Sequence, residues 1–321
     1  MKAAVLYELG KSPKYEEFDE PEASTGQALI RVKAASLKPV DKQLAAGTHF
    51  ASPAAKELPV ICGTDGLGVL QDGTRVFFGG CEKPFGSMAE LAVAPQTFCF
   101  PVPAGLDDST AAALPNPGVS AWLSLAHRAK LSPNESVLIL GATGVTGQLA
   151  VQIAKLLGAR RVVGVGRNER VLARLTDLGA DVTIQLDQAP EALKDAYVTE
   201  MGSGFDVILD YLWGSPTELL LRALTKSEFA PAAKETRLVQ AGESAGASIS
   251  LPAAVLRSTA VTILGTAGIP PVEVLFDAMK HVFERGAAGE LQIETERVPL
   301  ADIEAVWKRA GEPGRRVVVA A

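Results

Sequence analysis

The chain has 321 residues, 47% hydrophobic and 21% charged, with a formal net charge of −6: long enough for two domains and too apolar for a disordered chain. No apolar run approaches the roughly 20 residues of a membrane helix, and a mildly acidic chain without a long Lys/Arg run is a poor partner for nucleic acid. Cys62, Cys81 and Cys99 make neither a disulfide framework nor a zinc knuckle, and the charge at Glu8 comes too early for a signal-peptide core, so a reduced, cytoplasmic globular protein is expected.

In chain order, the first segment reads as short strands separated by turns, the pattern of an antiparallel β-rich unit. Met1–Tyr7, Gln27–Ala34, Gly68–Leu70, Arg75–Phe78 and Met88–Val93 are its predicted strands, and Asp72-Gly73 is a hairpin turn signal. From Ser120 the texture changes to alternating apolar strands and amphipathic helices. Ser136–Leu140 is followed by a glycine loop and a helix with Leu149, Ile153 and Leu156 on one face. Strand Arg161–Val165, helix Glu169–Leu178 and strand Asp181–Ile184 come next, and Phe205–Leu212, Arg237–Ala241 and Val261–Gly265 continue the series. Such alternation implies βαβ units and a parallel sheet covered on both faces. The tail carries a helix (Val272–Arg285), a strand near Gln292, a helix (Leu300–Arg309) and a strand (Arg316–Val319). It is too small to fold alone and is expected to complete the first unit. The expected division is therefore 1–119 with 267–321, against 120–266.

Gly141-Ala142-Thr143-Gly144-Val145-Thr146-Gly147 lies where a strand hands over to a helix. The dinucleotide fingerprint is Gly-x-Gly-x-x-Gly in that setting. Here its register is Ala142-x-Gly144-x-x-Gly147, with alanine for the first glycine. Gly144 would let backbone approach a pyrophosphate resting on the helix N-terminus, and Gly147 would let helix and strand pack closely. The plainer reading is a tight turn whose glycines serve geometry alone.

Cofactor choice follows from the next strand. An NAD site places Asp or Glu about 20 residues beyond the loop, to accept from the ribose hydroxyls. Gly166 stands there, followed by Arg167 and Asn168. Without a carboxylate nothing repels a 2′-phosphate, and Arg167 offers it a planar fork. Asn168 and Arg170 are further donors. NADPH is the expected cofactor.

Five segments in order resemble the zinc-independent branch of the medium-chain dehydrogenase/reductase superfamily, the quinone oxidoreductase-like proteins. They are Met1-Lys-Ala-Ala-Val5, Pro39-Val-Asp41…Gly47, Phe85-Gly-Ser-Met-Ala-Glu90, Ala111-Ala-Ala-Leu-Pro115…Ser120-Ala-Trp122 and the glycine loop. The resemblance implies an α/β protein with a GroES-like β-rich catalytic domain and an inserted Rossmann domain with a doubly wound parallel sheet. It also implies a homodimer, joined through Val261–Gly265. Cys62-Gly-Thr-Asp65 looks like a zinc-ligand segment of alcohol dehydrogenases, but it occupies the later Gly-His-Glu place, with Thr64 for the histidine. Lys38 falls on the cysteine-ligand position. No metal is expected.

By the same resemblance, Lys38 and His49 border the substrate cleft, as a cation beside a developing enolate and a proton donor. Phe50 and Trp122 would be apolar walls. Tyr211, Gly242 and Arg316 fall at positions that hold the cofactor in similar proteins. The implied activity is NADPH-dependent reduction of a quinone or an α,β-unsaturated carbonyl. An NADPH-binding sensor or structural protein with little catalysis is the alternative, and a metal-dependent alcohol dehydrogenase is disfavoured by the ligand positions.

Overall fold

The computed structural model of the chain describes residues 1–49, 51–202, 204–225, 234–266, 268, 270–309 and 311–321. Two compact units emerge, Met1–Pro115 with Phe283–Ala321, and Asn116–Val282. The helix Val272–Ala287 runs across the second divide, so the chain returns to the first unit later than residue 267, where the sequence placed the change.

The first unit opens with strands β1 (Lys2–Leu6), β2 (Lys14–Glu17), β3 (Gln27–Leu37) and β4 (Val60–Ile61). Strands β5 (Asp65–Val69), β6 (Arg75–Gly79), β7 (Leu91–Pro95) and β8 (Cys99–Pro101) follow. β1 pairs antiparallel with β2 and β4, while β3 takes antiparallel partners β5 and β7. The expected strand Met88–Val93 starts later because Met88 is tied elsewhere. Its N–H donates to Cys62 O and its carbonyl accepts from Ala4 N–H, both toward the β1–β4 sheet.

In the second unit six strands form one parallel sheet: β9 (Ser136–Leu140), β10 (Arg161–Gly166), β11 (Val182–Gln185), β12 (Val207–Asp210), β13 (Thr236–Gln240) and β14 (Val261–Gly265). Their spatial order β11-β10-β9-β12-β13-β14 is that of a doubly wound dinucleotide-binding sheet. The central strands β9 and β12 are buried throughout, as strands covered on both faces must be. Leu138, Val163, Ile184, Tyr197, Phe205 and Ile208 share one core with the flanking helices. The helix after β10 stops at Leu175, short of the expected Leu178. Gly179, at φ 107°, turns the chain and Ala180 N–H closes onto Leu175 O.

The tail supplies β15 (Glu294–Pro299) and β16 (Arg315–Ala320), parallel to each other, with β16 antiparallel to β3 through Val317–Leu37, Val318–Ser36 and Val319–Ala35. Ile303, Val306 and Trp307 pack with Ala4, Leu6, Leu37 and Val317 in one core. Among the described residues no helix is long and apolar enough to cross a membrane.

Trp307 is 8% exposed in that core. Trp307→Ala is expected to destabilise the first unit by about 3–5 kcal/mol, the range for emptying a buried aromatic site. Urea unfolding followed by circular dichroism measures it, and Trp307→Phe should cost less than half as much.

Candidate functional site

In the second unit, the turn after β9 is shaped by three glycines with three different jobs. Gly141 has φ 84°, a left-handed conformation that favours glycine. Its N–H and that of Ala142 both donate to Val165 O, at 2.9 and 2.8 Å, which pins the loop to β10. Gly144 caps the helix Val145–Leu156 without any side-chain hydrogen bond, so the first N–H groups of that helix stay open. A Cβ on Gly144 would have only Gly141 O near it, at 3.4 Å, and the backbone there is approachable. On Gly147 a Cβ would lie 2.2 Å from Gly141 O and 2.6 Å from Ala142 Cα, so this position admits no other residue. An open helix N-terminus beside approachable backbone fits a pyrophosphate. The residues present therefore fit a dinucleotide.

At the end of β10, Gly166 is buried and Arg167 exposed. The Arg167 carbonyl accepts from Gln185 Nε2 at 2.9 Å, and among the described residues no partner holds its guanidinium. Asn168 caps the next helix, its Oδ1 accepting from Val171 N–H at 3.0 Å. That uses its carbonyl oxygen and leaves its amide protons available.

The other wall of the cradle depends on Asp210, which the motif reading missed. Asp210 is fully buried at the end of β12. Its Oδ1 accepts from Leu212 and Trp213 N–H at 2.8 and 2.9 Å, and its Oδ2 from Thr217 Oγ1 at 2.6 Å. Burial pushes this carboxyl above the usual carboxylate range, against those three hydrogen bonds. They hold Trp213 at φ 56°, a strained conformation for a large side chain. They also set Tyr211, whose carbonyl would lie 2.6 Å from a Cβ on Gly242. Tyr211 Cβ and the Leu212 side chain in turn lie within 3.3 Å of a Cβ placed on Gly141. Thus the glycine loop, Tyr211 and Gly242 are brought together. An aspartate ending the apolar run Val207-Ile-Leu was the available sequence signal.

In the first unit, Lys38 is 2% exposed. It precedes the helix Pro39–Ala46, and its N–H donates to Asp41 Oδ2 at 2.8 Å. Its ammonium donates to Ser36 O and Asp65 Oδ1, both at 3.0 Å, and lies 3.2 Å from Asp41 Oδ2. Burial alone would push this amine down, but Asp41 and Asp65 outweigh it and hold the ammonium above the ordinary lysine value. Thr64 joins the group, its N–H donating to Asp41 Oδ1 and its hydroxyl to Asp65 Oδ2, each at 3.1 Å. Arg316, 7% exposed, donates from Nη1 to Leu37 O at 3.2 Å. Burial lowers its guanidinium pKa, with Asp41 and Asp65 opposing.

These donors do not fit zinc. A lysine ammonium already bridges the two carboxylates, and Thr64 offers no imidazole. Among the described residues no three His, Cys, Asp or Glu side chains converge for a metal.

His49 Nδ1 accepts from Ala51 N–H at 3.1 Å, which places a neutral imidazole's proton on Nε2. Phe50 lies outside the described residues. In the second unit, Trp122 stacks on His281, with ring centroids 4.6 Å apart and planes 17° from parallel.

A family model described as zinc-binding dehydrogenase matches residues 145–270. The chain is 30% identical over 235 residues to a quinone oxidoreductase-like protein 2 homolog of Nematostella vectensis, covering 70% of this chain and 62% of that protein. It is 31% identical over 207 residues to a chloroplastic NADPH-dependent alkenal/one oxidoreductase of Arabidopsis thaliana, covering 59% of this chain and 51% of that protein. The matches thus span less than two thirds of either relative. Among solved structures, the quinone oxidoreductase of Thermus thermophilus, also solved with NADPH, superposes over the full length of both chains with a TM-score of 0.81 at 29% identity. In sequence and fold the chain is thus similar to the quinone oxidoreductase-like branch of the medium-chain dehydrogenase/reductase superfamily.

The Lys38 group yields a prediction. Lys38→Met leaves two buried carboxylates without the cation that bridges them and should cost about 3–5 kcal/mol in urea unfolding near neutral pH. Lys38→Met/Asp65→Asn should recover part of that loss. Because the folded pKa of Lys38 is raised, its contribution is complete below the ordinary lysine value of about 10.4 and disappears as pH climbs through the folded value. Stability of the wild type against pH measures this, and the alkaline loss should shrink in the double variant.

Proposed function

We propose that this protein is an NADPH-dependent oxidoreductase that transfers a hydride to a quinone or an α,β-unsaturated carbonyl without a metal. One observation carries the reading. Gly166 presents no carboxylate, and the Arg167 guanidinium, without a partner among the described residues, follows it at the strand that flanks an open helix N-terminus. The names of the Arabidopsis and Thermus proteins support the same cofactor and acceptor classes.

Reduced nicotinamide supplies the hydride when bound. The open N–H groups of Val145 and Thr146, with the bare backbone of Gly144, would hold the pyrophosphate. Arg167 would take the 2′-phosphate through its fork, with the Asn168 amide as a second donor. Backbone at Tyr211 and Gly242, fixed by Asp210, would orient the nicotinamide end. Reduction also requires a proton at the acceptor oxygen, and His49 Nε2–H is the donor assigned to it. Lys38 is assigned a positioning part: its ammonium is spent on Asp41, Asp65 and Ser36, so it holds the segment that leads to His49. Trp122 is assigned to an apolar wall.

A homodimer joined through β14 is part of the proposal. That strand sits at the sheet edge, pairs only with β13 among the described strands, and is half-exposed along its length. A cytoplasmic location suits three free thiols, of which Cys81 is pushed up to about 12 by burial.

Titration with both cofactors and steady-state assays against quinones, enals and enones test the reading. NADPH should bind at least tenfold more tightly than NADH. Arg167→Ala should weaken NADPH by roughly tenfold to a hundredfold, the worth of one charge-assisted pair, and leave NADH unchanged. His49→Ala should lower kcat. Tight NADPH binding with no turnover of any acceptor would favour a dinucleotide-binding protein without catalysis.

A further inference from the structure

β10 reads Val163-Gly164-Val165-Gly166, two glycines in a buried strand where glycine is disfavoured. The residues facing them explain both. A Cβ on Gly164 would lie 3.2 Å from Ala142 Cβ and 2.9 Å from Leu175 Cδ1. A Cβ on Gly166 would lie 2.3 Å from Thr143 Cγ2, 2.6 Å from its Oγ1 and 2.9 Å from its Cβ. Side-chain bulk sits on the loop and not on the strand: Ala142 stands where the fingerprint has its first glycine, and the strand position opposite it is bare.

The Thr143 contact cannot be relieved by rotation. Turning χ1 swings Cγ2 and Oγ1, but Cβ itself is too close and moves only with the backbone. That backbone is held by the Gly141 and Ala142 N–H bonds to Val165 O and by the packing of Gly147 on Gly141 O. Any side chain at position 166 therefore displaces the loop that would carry the pyrophosphate.

We infer that Thr143 is a specificity-determining residue: by filling the space beside Gly166 it keeps that position without a side chain, and so without the carboxylate that an NADH site places there. The inference rests on the reading that the loop binds a dinucleotide. It adds that cofactor choice is set by a pair, one residue from the loop and one from the strand. A change at position 166 alone would damage binding of both cofactors rather than exchange one for the other.

The experiment uses the full chain and two readouts, thermal midpoint without cofactor and dissociation constants for NADPH and NADH by calorimetry. Gly166→Ala should lower the midpoint by several degrees in the wild-type background. The drop should be smaller with Thr143→Ala, which retains the Cβ, and near zero with Thr143→Gly. Gly166→Asp should weaken both cofactors, whereas Thr143→Gly/Gly166→Asp should bind NADH at least tenfold more tightly than Gly166→Asp does. An equal midpoint loss in all three backgrounds overturns the inference, as does an equal NADH gain with and without Thr143→Gly. Equal affinity of the wild type for NADH and NADPH would instead sink the NADPH reading, and the midpoint series would still decide the steric pairing.

Discussion

The ammonium of Lys38, held between Asp41 and Asp65, is the interaction on which the first unit is organised. Buried charges are tolerated only when paired and hydrogen-bonded, and here two cations and two carboxylates draw on segments far apart in sequence. Lys38 follows β3 and caps the next helix, Asp41 lies in the first turn of that helix, Asp65 opens β5, and Arg316 comes from β16. Asp41 accepts from the Lys38 N–H and so fixes where the helix Pro39–Ala46 starts. That helix ends at Gly47, in a left-handed conformation, two residues before His49. The direction in which the chain delivers His49 is thus settled by charge pairing several residues upstream.

Asp210 does in the second unit, by neutral geometry, what the Lys38 group does by charge. It satisfies two backbone donors and a hydroxyl, and its own backbone carbonyl receives Ala241 and Gly242 N–H. One residue therefore couples the ends of β12 and β13.

The parallel sheet was legible in the sequence because apolar runs bounded by glycines coincide with its strands, and Ser136–Leu140 and Val261–Gly265 were placed to the residue. The glycine loop was legible because its chemistry is local. Elements stabilised from a distance were not. Lys14–Glu17 is mostly charged and becomes a strand only by pairing with β1. The helix Pro190–Met201 buries just Leu193, Tyr197 and Met201 among its described positions, too sparse a stripe to stand out. The Lys38 side chain could not be placed from its neighbours, because the aspartate that turns it inward lies 27 residues away. Likewise the reason for Gly166 in β10 is a loop residue more than 20 positions upstream.

The closing of β3 by β16 has a consequence for synthesis. The first 115 residues leave the ribosome long before the last strand exists, and until then one side of β3 is an open hydrogen-bonding edge at Ala35–Leu37. The second unit, continuous from Asn116 to Val282, meets no such delay and can fold while the first waits. An unpaired strand edge is a template for intermolecular pairing. Chains stalled or truncated before Arg315 would therefore carry a completed parallel-sheet unit attached to one whose β3 edge still invites pairing with a neighbour.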